Sequence, residues 1–123
     1  QKLSNISENN IFIASFSIIW GSGILSGFID NIPFVATMIP LIEIMNTHFG
    51  QDAGNVLWWS LSTGACLGGN MTLIGAAANV IAAGISARNG HPISFIEFTK
   101  IGVIYTIVSL IISSMYIYLR YLL

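Results

Sequence analysis

Two short runs carry the side chains best suited to chemistry. The first is Asp30-Asn31-Ile32-Pro33, which interrupts a long apolar stretch. A carboxylate near the bilayer centre costs about 2.5–3.5 kcal/mol on insertion scales, and it normally faces protein or a watery cavity. A proton or bound Na⁺ would neutralise Asp30. Asn31 offers a carbonyl to a cation and an amide to an anion. Pro33 has no backbone N–H, so the carbonyl it would have bonded is left for a ligand. The competing reading is that Asp30 and Asn31 cap a helix in an exposed turn. The second run is Gly68-Gly69-Asn70-Met71-Thr72, followed by Gly75 to Asn79. Unwound backbone at membrane depth is tolerated only where protein buries it or it lines a cavity. There, freed carbonyls hold cations and helix N-termini attract anions. Asn70, Thr72 and Asn79 add side-chain oxygens, and a Na⁺ site at Asp30, Asn31 and Asn79 is the candidate. The competing reading is a glycine packing groove with incidental amides.

The other polar residues point to less. Glu43 sits beside the polar stretch at Asn46 and can snorkel to an interface. His48 and His91 lack a His or Glu one helical turn away, so no metal site is expected. Cys66 is the single cysteine, which rules out an internal disulfide. No nucleophile-base pair or catalytic carboxylate pair can be placed, so the chain does not read as an enzyme. No cofactor is expected beyond a coupling ion, Na⁺ or H⁺.

The elements that must position these runs are apolar. Hydrophobic residues make up 54% of the 123, and charged residues 7%, against about 25% in soluble domains. Four Lys+Arg and a net charge of -1 offer no patch for nucleic acid. An all-α, multi-pass integral membrane protein remains. After a polar lead-in over 1–10, Ile11 to Ile29 is uncharged, about 28 Å as helix. Ile32 to Met45 would be about 21 Å, too short to span a core of about 30 Å. Together 11–45 reads as a re-entrant helical hairpin. Residues 46–55 read as a polar loop. Val56 to Ala87 as one helix would be about 48 Å, so the glycines at its centre predict a broken transmembrane helix over 56–87. Trp58-Trp59 is an interfacial belt signal. Residues 88–100 read as an interfacial helix, and 101–121 as a terminal transmembrane helix with a Tyr and Arg anchor.

SGFIDNIPFVATMIPLI (26–42), LWWSLSTGACLGGNMTLIGAAANVIAAGI (57–85) and GHPISFIEFTKIG (90–102) together resemble the ion transporter superfamily. The resemblance is to its arsenite permease and NhaD-type sodium/proton antiporter branch, which includes P-protein-like and citrate-transporter-like permeases. It covers about residues 11–121. It implies half of an inverted-repeat, elevator-type transporter, with 11–45 as the second-repeat hairpin. Dicarboxylate members carry Ser-Asn-Thr at the hairpin tip, matched here by Asp30, Asn31 and Ile32. They carry Gly-Thr-Pro-Pro-Asn in the broken helix, matched by Gly75 to Asn79. Asn31, Gly75 and Asn79 are retained. Asp30 and Ile32 depart, which argues against a dicarboxylate and for a cation, a proton couple or a neutral solute.

The expected function is a secondary active transporter of ions or small solutes, coupled to H⁺ or Na⁺ by alternating access. The alternative is a structural or assembly subunit with no solute site. The chain begins at Gln1 and is small for a transporter, so it is expected to be a C-terminal fragment. Its expected partners are the lipid bilayer, a missing N-terminal half, the ion or solute, and a second copy in a homodimer. Charge leaves orientation open: Lys2 and Arg120 would share one side, Arg88 and Lys100 the other.

Overall fold

The computed structural model describes residues 2–123, with side chains described for 10–50 and 55–123. Among the described residues the fold is all-helical. Helix α1 runs Lys2–Ser26, α2 Asn31–Phe49, α3 Gln51–Gly68, α4 Ala77–Arg88 and α5 Phe95–Ile117. A π-helical turn, Tyr118–Leu122, continues α5. Among the described residues, two helices are long and apolar enough to cross a membrane: Asn31–Phe49, and Phe95–Leu122 including the π turn. Asn10–Ser26 is a shorter apolar helix.

Four boundaries differ from those the sequence suggested. The polar lead-in is helical and continuous with the apolar part of α1. The expected loop at 46–55 is instead the end of α2 and the start of α3, separated at Gly50. Polar residues do not end a helix by themselves. The chain turns at Gly50, where φ is positive, at +87°. α2 therefore has 19 residues, not the 14 of its most apolar part. No separate interfacial helix occupies 88–100. Residues Asn89 to Ser94 form a turn, and α5 begins at Phe95. A capping box fixes that start: Ser94 Oγ accepts from the Glu97 N–H at 3.2 Å, and a Glu97 carboxylate oxygen accepts from the Ser94 N–H at 3.2 Å. Finally, Met71 to Ile74 lie in the break between α3 and α4, not in the second half-helix.

The packing rests on close backbone approach. A Cβ on Gly68 would strike the Gly23 backbone, and one on Gly64 would strike Ser22 and Ile19. α1 and α3 thus lie side by side and parallel, with small residues at the seam. Ile18, Phe34, Ile42, Leu57, Leu61 and Ala65 form one core where α2 closes over them. Ile19, Val56, Leu110 and Ile117 form a second against α5. α5 runs antiparallel to α1, and the Trp20 Nε1–H donates to Ser114 Oγ at 3.2 Å. α4 stands apart, with no buried residue.

Candidate functional site

Two helix interruptions meet. One is the turn between α1 and α2, Gly27 to Asp30. The other is the break from Gly69 to Ala76. Met71 and Thr72 are buried beneath the turn. The Thr72 hydroxyl donates to the Gly27 carbonyl. One turn lower, Ser26 Oγ donates to the Ala65 carbonyl at 2.8 Å. Gly75 has no room for a side chain, because a Cβ would meet the carbonyls of Gly69 and Gly27. Asn79 reaches back across the break and donates to the Gly69 carbonyl at 2.8 Å and the Thr72 carbonyl at 3.1 Å. Both its amide hydrogens are committed. Its Oδ1 accepts nothing among the described residues. Asn70 donates weakly to the carbonyls of Cys66 and Leu67, at 3.5 and 3.4 Å, closing the end of α3.

The structure thus joins Thr72, Gly75 and Asn79 in one clasp around Gly27 and Gly69. Asp30 and Asn31 lie beside it at the head of α2. Neither bonds to Asn70, Thr72 or Asn79 among the described residues. Asp30 is the N-cap of α2, its Oδ1 accepting from the Ile32 N–H at 3.4 Å. Carboxylate and helix dipole are favourably paired there. Pro33 falls in the first turn of α2, where a missing N–H leaves no helical bond unmade. The freed carbonyl expected from Pro33 is therefore not of its making. Asn31 lines a groove of about 410 Å³ with Val35, Trp58, Leu61, Ser62 and Cys66. Trp58 also packs on the first core, while Trp59 is exposed. Cys66 is an exposed free thiol.

Four contributors to the clasp are absent from the sequence-based site: Ser26, Gly27, Gly102 and Thr106. A Cβ on Gly102 would meet the carbonyls of Asn70 and Met71. Thr106 Oγ1 donates to the Leu67 carbonyl at 3.4 Å. Their signal was spacing: Gly102, Thr106 and Leu110 are buried one turn apart on one face of α5.

Residues 1–64 match the CitMHS family model, described as citrate transporter. The chain belongs to the citrate transporter family. It is 46% identical over 119 residues to an uncharacterized transporter of Mycobacterium bovis, covering 96% of this chain and 28% of that protein. It is 45% identical over 102 residues to a 46 kDa membrane protein of Mycobacterium leprae, covering 82% and 24% respectively. It is 42% identical over 113 residues to the human P protein, covering 89% and 13%. The chain thus spans about a quarter of the length of the mycobacterial relatives. No solved structure matches it. Family membership accords with an integral membrane protein.

Proposed function

We propose that the chain forms half of the transport domain of a secondary active transporter, of the arsenite permease and antiporter kind. It works by alternating access coupled to H⁺ or Na⁺. In this reading α1 and α2 are a re-entrant hairpin, α3 and α4 a broken helix, and α5 the terminal transmembrane helix. The domain slides as an elevator, and the solute binds between this half and a matching half elsewhere in the polypeptide. The observation that carries the proposal is the meeting of two interruptions in apolar helices. The carbonyls of Asn70, Met71 and Gly75 accept no hydrogen bond among the described residues. Such carbonyls, at the ends of half-helices, suit a cation.

Asp30 binds H⁺ or Na⁺ in this proposal. Asn31, the free Oδ1 of Asn79 and the Gly75 carbonyl complete the site. Asn70 and Thr72 contribute by holding backbone in place, since their side chains already donate inward. Asp30 brings negative charge to the head of α2, so a cation, a proton couple or a neutral solute fits better than a dicarboxylate.

The inward-turned Asn70, Thr72 and Asn79 favour a second reading, in which the clasp is only structural and the chain an assembly subunit. Cysteine labelling separates the two. In the full-length protein with Cys66→Ser, a cysteine in place of Asn31 is expected to react with a membrane-impermeant thiol reagent. No labelling from either side of the membrane would favour the structural reading.

A further inference from the structure

Helix α4, Ala77–Arg88, is uncharged from Ala77 to Ala87. Val80, Ile81 and Ile85 are about half exposed or more. A helix with so wide an exposed apolar face belongs in lipid or against protein. Two observations decide between them. First, the described glycines have reasons in the structure, with two exceptions. Gly23, Gly27, Gly64, Gly68, Gly75 and Gly102 lie under close contacts, Gly69 lies against the Gly75 carbonyl, and Gly50 and Gly90 have positive φ. The exceptions are Gly21 in α1 and Gly84 in α4, where a Cβ would meet nothing within 4 Å. Glycine inside a helix is less favourable than alanine, and in membranes it recurs where another helix comes close. Second, α4 starts at Ala76 with no side-chain cap. The carbonyl of Gly75, next to the start of α4, accepts no hydrogen bond among the described residues, and lipid cannot satisfy it. The start of α4 therefore needs protein or an enclosed cavity around it.

We infer that the outer face of α4, made by Ala77, Ile81, Gly84 and Ile85, docks against an apolar transmembrane helix of the same polypeptide. These four residues lie opposite the half-buried Asn79, Ala83 and Ser86. The choice of occupant rests on length. Relatives matched over 96% of this chain carry most of their own length outside the match. The inference rests on the membrane reading of the chain and not on ion coupling. Its test reads contact, so a failure of coupling leaves it standing.

The test places the photoreactive residue benzoylphenylalanine at Ile81 in the full-length protein in native membranes. Ile104, 67% exposed on α5, serves as the lipid-facing reference. Irradiation is expected to join position 81 to a distant segment of the same molecule, identified by peptide mass spectrometry, while position 104 gives lipid adducts. Lipid adducts alone at 81, or crosslinks only to a second copy, overturn the inference. A label-free variant guards against misfolding at 81. Gly84→Leu is expected to reduce the folded, monodisperse fraction several-fold, whereas Ile104→Leu leaves it unchanged. Equal yields would contradict a packed Gly84.

Discussion

At the scale of residues, most of the polar side chains where the two interruptions meet serve the backbone. Thr72 is fully buried and spends its hydroxyl on the Gly27 carbonyl. Thr72→Val keeps the shape and orphans a buried acceptor, which costs about 1–3 kcal/mol. The full-length protein in detergent is expected to melt at a lower temperature, with Thr72→Ser restoring most of the loss. Asn79 spends both amide hydrogens on the carbonyls of Gly69 and Thr72. Asn79→Leu is expected to speed amide exchange across Gly69 to Ala76, with little change in the middle of α5. Unchanged exchange would mean that the break is held by packing alone. The structure shows Asp30 in one of the two roles that the sequence offered as alternatives. It caps α2, and its second carboxylate oxygen makes no hydrogen bond among the described residues.

At the scale of elements, the breaks were legible and the boundaries were not. The 48 Å implied by an unbroken Val56 to Ala87 demanded an interruption, and the glycines located it. Its extent could not be read, because Met71, Leu73 and Ile74 look like helix formers. They lie outside helix around Thr72, whose hydrogen-bond partner is 45 positions away. The polar run at 46–55 misled for a different reason. Polarity reports contact with water, while helix ends are set by conformation, here at Gly50. The start of α5 was missed, although Ser94-Phe95-Ile96-Glu97 has the capping-box spacing. Ser94→Ala is expected to cost about 0.5–2 kcal/mol of helix stability, seen as faster exchange at Phe95 to Phe98. The seam of α1 and α3 makes a sharper prediction. Gly68→Ala puts a methyl against the Gly23 backbone and is expected to cut the folded yield strongly, because rigid backbone cannot give way. Wild-type yield would show that the two helices do not touch there in the membrane.

At the scale of the molecule, the low charge and the all-helical architecture have one cause, which is a bilayer as solvent. The clasp ties the tip of the α1–α2 pair to the broken helix through Thr72, Ser26 and Gly75. These parts are therefore joined by backbone contacts and not by side-chain packing alone. The candidate site was legible in part. Asn79, Gly75 and Thr72 do converge, whereas Asp30 and Asn31 stand beside them on α2. The carbonyls of Gly27 and Gly69 that organise the cluster have no side-chain signature to read. The most direct test of ion-coupled transport uses the full-length protein reconstituted in liposomes, wild type against Asp30→Asn. Solute flux is driven by an imposed Na⁺ or H⁺ gradient. The account predicts that gradient-driven flux falls to the protein-free background in Asp30→Asn, although the variant folds and inserts normally. Undiminished ion-driven flux in Asp30→Asn would contradict it.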